Sequence, residues 1–231
     1  EDHAAVDTDF NERWHEVPGG TDTGNFIHAI LEWHADGQRS NRELKHFIKT
    51  HWPIHLDPSH EPVVLDWILQ ILSTELAPQV MLDTLSIDSK RPEPQFELPL
   101  KQGLRLQELF QACEAFSWCT TLPPPVDQTI NGHLIGFIDL VFEANGRFHI
   151  VDYKTNHLGP NDQAYTDERI ELAMEQALYP IQAAIYALAL HRWLKARLPH
   201  YDPETHLGDV IYLFCWGVNA PNCGIWKRPI E

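Results

Sequence analysis

Positive charge is what this 231-residue chain has least of: 17 Lys and Arg stand against 33 Asp and Glu, a formal net charge of −16. A free-standing nucleic-acid binder normally carries a basic patch, so this balance argues against one. It does not exclude a metal-dependent nuclease whose DNA is held by another part of a larger protein. Cysteine is scarce as well. Cys113, Cys119, Cys215 and Cys223 form no C-x-x-C pair, which excludes zinc-ribbon and the common iron–sulfur spacings. So few thiols suit a reducing, cytosolic setting. No signal peptide and no run of about 18 apolar residues occurs, as expected of a soluble protein. A Walker A motif is missing too, so no nucleotide is bound by that route. The chain starts at Glu1 rather than Met and is expected to be an excised fragment.

What is present is material for a core, including eight Trp and ten Phe, in a length that suits one large domain or a domain with an appendage. Residues 1–22 are polar and acidic and read as a linker or arm. Thr23 is placed to cap a helix from Gly24 to about Trp33, with Phe26, Ile27, Ile30 and Leu31 as its apolar stripe. His28 lies at the edge of that stripe. Such a His is more often packed or exposed than functional, although His is the commonest metal ligand. Ser40-x-x-Glu43 is a capping box for a helix through about Thr50. His46, His51, His55 and His60 follow without a zinc spacing. Pro62 opens a helix to about Leu76 with Leu65, Ile68, Leu69 and Leu72 inward. Residues 40–90 thus read as a helical insertion.

Beyond it, Gln95–Leu100 alternates as a strand, about Leu104–Phe116 as a helix, and Leu122–Pro125 as a stiff connector. A long helical region spans about Asp167–Leu198, broken near Leu178-Tyr179 by Pro180. Gln182 and Tyr186, at i and i+4, share one of its faces. Val210–Trp216 is a buried strand, and 219–231 reads as a C-terminal arm. Strands before and after a helical crossover predict an α/β fold: a mixed central sheet flanked by helices.

The stretch Gly132–Thr155, GHLIGFIDLVFEANGRFHIVDYKT, is the most informative. Asn145-Gly146 marks a type I′ hairpin. With those two as the loop, Ala144 pairs with Arg147. The same register sets Asp139 opposite Asp152 and Phe137 opposite Lys154. Opposed carboxylates about 5 Å apart repel unless a cation lies between them. Both faces of these strands are otherwise apolar, which predicts a sheet covered on both sides. A structural ion pair near a strand end accounts for Asp152 and Lys154 equally well. The functional alternative is a magnesium site. Hard carboxylate oxygens suit that ion, which tolerates few protein ligands, and a neighbouring Lys suits phosphate chemistry.

Gly136-Phe-Ile-Asp139 followed by Val151-Asp-Tyr-Lys-Thr155 resembles the PD-(D/E)XK nuclease superfamily. GFIDLVFEANGRFHIVDYKTNHLG, YPIQAAIYALALHRWLKARL and GDVIYLFCWGV resemble its RecB-type nuclease domains, the C-terminal domains of exodeoxyribonuclease V beta subunits. The resemblance is dense over 132–218 and thinner through GNFIHAILE and QFELPL. It implies a restriction-endonuclease-like core over residues 23–218 and Mg²⁺-dependent DNA hydrolysis in double-strand break repair and recombination, with Mn²⁺ or Ca²⁺ able to take the same site. It implies His28, Asp139, Asp152 and the Tyr153 carbonyl as metal ligands, Asp152 and Lys154 as catalytic, and Gln182 and Tyr186 as orienting the centre or touching DNA. It implies RecC-like and RecD-like subunits in a bacterial cytoplasmic complex, with DNA strands delivered by helicase subunits. A docking module for the RecA strand-exchange protein is the alternative reading. One position departs from the family pattern: Gln95 stands where members often carry Glu, with Glu93 and Glu97 two residues to either side.

Overall fold

A computed structural model describes residues 13–115, 118, 128–218 and 223–230; the connector Leu122–Pro125 lies outside them. The helices are α1 (Thr21–Ala35), α2 (Asn41–Thr50), α3 (Glu61–Leu72), α4 (Leu106–Ala115), α5 (Asp167–Gln176), α6 (Tyr179–Arg197) and α7 (Pro203–His206). The strands are β1 (Glu75–Ala77), β2 (Val80–Met81), β3 (Lys90–Pro92), β4 (Gln95–Arg105), β5 (Thr129–Phe137), β6 (Leu140–Ala144), β7 (Arg147–Lys154), β8 (Leu207–Phe214) and β9 (Ile225–Pro229). A five-stranded mixed sheet in the order β3-β6-β7-β8-β9 forms the centre, flanked by helices. Among the described strands only β7 and β8 pair in parallel, joined by the crossover through α5 and α6.

Several boundaries move for identifiable reasons. Helix α1 begins at Thr21, because the Thr23 hydroxyl donates to the Pro18 carbonyl (2.7 Å) instead of capping. The Ser40–Glu43 capping box forms as expected, each partner satisfying a terminal amide of the other. Helix α3 stops at Leu72. Its buried face carries Val63, Val64, Trp67, Ile68, Ile71 and Leu72, while Leu65 and Leu69 sit half-buried at its edge. The inserted segment is not wholly helical, since β1 and β2 pair inside it. Leu178 takes a left-handed turn (φ 56°) between α5 and α6, and Pro180 sits in the first turn of α6, where its missing N–H costs nothing. The segment expected as a C-terminal arm carries β9, which pairs antiparallel with β8. Trp14 and Val17, in the segment expected as a linker, are buried, and Trp14 donates to the Trp216 carbonyl (3.1 Å).

The largest difference concerns the strand ahead of the hairpin. The β6–β7 register is the expected one: Ala144 pairs with Arg147 and Leu140 with Val151. Asn145 (φ 53°) and Gly146 (φ 76°) have the positive φ values that a type I′ turn needs. Beyond Leu140 the two strands fork. Phe137 pairs with Gln95 in a separate β4–β5 ribbon, and Lys154 pairs with Phe214 of β8. Phe137 is therefore not opposite Lys154, and Gln95–Leu100 is not a strand of the central sheet. The β3–β6 and β4–β5 pairings keep one register across a bend, from Lys90↔Phe142 to Phe96↔Gly136. Glu93, in a left-handed conformation (φ 44°), and Pro94 form the corner, where the Glu93 N–H donates to the Asp139 carbonyl (3.0 Å).

Candidate active site

The fork is where the ionisable side chains gather. Had the β6–β7 ladder continued, the Tyr153 N–H would have bonded to the backbone of Ile138. That strand has turned away, and Asp139 Oδ2 accepts the Tyr153 N–H instead, at 2.7 Å. The carboxylate thus closes the open end of a ladder and is held facing Asp152. Helix α1 reaches this end of β7 because residue 24 is Gly: a Cβ there would lie 2.6 Å from Thr155 Oγ1. Four residues on, His28 Nδ1 stands 3.7 Å from Asp139 Oδ2, its ring edge-on to Tyr153. Burial pulls the His28 pKa below its ordinary value, so the imidazole is neutral at pH 7, as a metal ligand must be.

Asp152 and Lys154 leave β7 on the same face and are both buried, at 3% and 9% exposure. Lys154 Nζ lies 2.6 Å from Asp152 Oδ2. That oxygen is buried and accepts no hydrogen bond, so the contact is an ion pair. Nζ instead donates to Gln182 Oε1 (3.1 Å) and lies over the Tyr179 ring, 3.8 Å from its centroid. Gln182 donates to the Tyr186 hydroxyl (2.8 Å) and accepts from the Tyr212 hydroxyl (3.0 Å). Burial, with the nearby Asp152 charge, raises the Tyr186 hydroxyl well above its ordinary value and keeps it protonated. Burial first, and the Asp152 charge second, push the Asp139 carboxyl up to about 7. Burial also raises Asp152, opposed by Lys154.

All of the residues singled out from the sequence therefore meet at one place: His28, Asp139, Asp152, Tyr153, Lys154, Gln182 and Tyr186. Tyr179 and Tyr212 were missed. In the sequence they are ordinary aromatics of a helix start and a buried strand, and only the β7–β8 register sets Tyr212 beside Asp152. The doubt over Gln95 resolves into two fates. Glu97 pairs with His133 out on the ribbon. Glu93, at the corner, places its charge where His28, Asp139 and Glu32 all feel it.

The donor set fits a hard divalent cation. Two mutually repelling carboxylates, one with a buried oxygen lacking a hydrogen bond, adjoin a neutral imidazole. Among the described residues no three His, Cys, Asp or Glu side chains come together closely enough to hold a metal ion by themselves; Mg²⁺ keeps several waters and is held by one or two carboxylates.

The fold and this centre define a class, and the family comparison agrees. Residues 9–220 match the PD-(D/E)XK nuclease superfamily, and the chain belongs to it. Within that class, it is similar to the RecBCD enzyme subunit RecB of Escherichia coli K12, at 36% identity over 227 residues covering 93% of this chain and 18% of that protein. The RecB subunits of Buchnera aphidicola from Schizaphis graminum (31%, covering 93% and 18%) and of Mycolicibacterium smegmatis (32%, covering 87% and 21%) are similar too. The chain thus spans about a fifth of the length of these relatives. Among the described residues no helix is long and apolar enough to cross a membrane.

Proposed function

We propose that this chain is the nuclease unit of a RecBCD-type helicase–nuclease and hydrolyses phosphodiester bonds of DNA with Mg²⁺. The observation that carries the proposal is the Asp139–Asp152–Lys154 cluster: two mutually repelling carboxylates and a buried ammonium gathered at a strand end. His28, Asp139, Asp152 and the Tyr153 carbonyl would hold the ion. When bound, it supplies charge neutralisation of the phosphate and a lowered pKa for attacking water; Mn²⁺ or Ca²⁺ suits the same donors. Lys154 is aimed by Gln182 and the Tyr179 and Tyr212 rings. Its ammonium stabilises charge growing on the phosphate oxygens, or orients the water that attacks phosphorus as the bond to the departing oxygen breaks. Tyr186 and Gln182 fix the rotamers of Asp152 and Lys154.

DNA strands delivered by helicase subunits, RecC-like and RecD-like neighbours, and a bacterial cytoplasmic setting belong to the same proposal. RecA docking alone is the weaker reading, since a docking relative has no need of a buried acid pair. Cleavage of single-stranded DNA in Mg²⁺ tests it. Asp152→Ala and Lys154→Ala should each lower the rate by about 10³-fold or more; wild-type rates in both variants would overturn the assignment. Calorimetric titration separates docking from catalysis, because a chain that binds neither Mg²⁺ nor Mn²⁺ supports docking.

A further inference from the structure

One part of the surface reverses the charge balance of the chain. Residues 39–56 hold four of its 17 Lys and Arg (Arg39, Arg42, Lys45 and Lys49) but only one of its 33 acids, Glu43. On α2, Arg42, Lys45, His46 and Lys49 recur at i, i+3, i+4 and i+7, which puts them on one face. Leu44 and Ile48 bury the opposite face. Arg42, Lys45 and Lys49 are exposed, and among the described residues no ion pair or hydrogen bond holds their charged groups. Glu43 is turned back to the amide and hydroxyl of Ser40.

Beside this face four planar groups stack in a row. The Arg39 guanidinium lies over Trp33 at 4.7 Å from the ring centroid. Trp33 stacks on Phe47 (4.3 Å, 18°), and Phe47 on His51 (4.1 Å, 25°). The His51 ring is fixed by a 3.0 Å contact from Nδ1 to the Phe47 carbonyl and ends the row, exposed. Trp33, Arg42, Glu43, His46, Phe47 and His51 also line a hollow of about 550 Å³, room for a nucleobase and its sugar. Packing alone does not require a row of flat groups opening onto solvent next to exposed cations. That pairing of ring faces with a basic groove is the chemistry of single-strand binding, where bases stack and phosphates meet Lys and Arg.

We infer that α2 and the Arg39–Trp33–Phe47–His51 stack form a binding site for single-stranded DNA, separate from the cleavage centre. The inference rests on the nuclease reading only for its biological use; binding is measured without it. Helix α1 carries residues of both places: His28 sits at the centre, and Trp33 lies five residues on, about 7.5 Å along the helix axis and well over a quarter-turn round it.

Fluorescence anisotropy of a labelled 20-mer of dT with the 231-residue chain, in EDTA, tests the site. The triple variant Arg42→Glu/Lys45→Glu/Lys49→Glu should weaken binding at least ten-fold. It should also lower the salt dependence by about two in the log–log slope, at ~0.7 for each phosphate that is no longer neutralised. His51→Ala should weaken binding roughly five-fold or more by removing a stacking surface, and a duplex of the same length should not feel that change. If charge reversal impairs folding by circular dichroism, Lys45→Gln/Lys49→Gln replaces it with the same expected direction. Binding of dT within two-fold of wild type in the charge variants overturns the site. So does failure of those variants to bind an acidic peptide such as poly-Glu while dT binding stays intact, which would mark a protein-docking face. A wild-type chain that binds dT through α2 but never cleaves it would sink the nuclease reading and leave this one standing.

Discussion

The β6–β7 hairpin and the β4–β5 ribbon are made of similar residues and end in different states. Leu140, Phe142, Ile150 and Val151 are fully buried, whereas Ile135 and Phe137 are 57% and 52% exposed. The hairpin has β3 on one side and β8 on the other, with helices beyond. Among the described residues the ribbon has two strands, and it meets the body at Phe96, against Tyr186 (5.7 Å), and at buried Leu98. Apolar alternation shows that a strand forms; it does not show how many neighbours the strand will have. The point where the two regions part is also the candidate active site. A forked ladder leaves backbone groups and charged side chains unpaired by neighbours, and here Asp139 fills that gap.

The sharpest way to break this comparison is to truncate one aromatic in each region. Phe142→Ala removes a fully buried ring stacked on His149 (4.8 Å) and should cost about 3–5 kcal/mol in urea unfolding. A loss under ~1 kcal/mol would mean the hairpin is not the centre of the core.

The second test is pH. The folded pKa of Asp139 lies above its unfolded value. Between about 4 and 7 the folded state therefore binds the extra proton, so stability falls as pH rises through that window and is lowest above it. The melting temperature should drop by several degrees from pH 5 to pH 8, at ~2–4 °C per kcal/mol. Millimolar Mg²⁺ should restore it at pH 8 and do little at pH 5. An Asp139→Asn variant should lose both effects.

Gly146→Ala comes third. It meets no atom within 4 Å but must keep φ at 76°, so the hairpin should lose about 1–2 kcal/mol through backbone strain alone. Smallest is Phe137→Ala on the ribbon, expected within ~0.5 kcal/mol of wild type; a larger loss would mean that the exposed ring is covered by a partner.

Much of the site was legible beforehand because its signals are local. The Asn145-Gly146 turn sets the register of β6 on β7. Period two puts Asp152 and Lys154 on one face, and the i, i+4 spacing puts Gln182 and Tyr186 on another. His28 entered through family resemblance rather than spacing, since an edge-of-stripe His has many ordinary uses. Glu93 was noticed only as a neighbour of Gln95, and choosing it over Glu97 required the corner at Pro94. Tyr179 and Tyr212 carried no signal, because their role depends on which strand lies beside β7.

The order of amino acids is enough to settle the turn, the strand pattern and the chemical inventory: two acids, a lysine, a histidine and an amide–phenol pair. These follow from φ preferences and side-chain periodicity within a few residues. The fork of the ladder at Asp139 and the place of β8 beside β7 exist only in the folded chain. So do the turning of Glu93 rather than Glu97 toward the centre and the basic stack one helix away. Those are contacts between distant segments, set by competition for neighbours that no local pattern records.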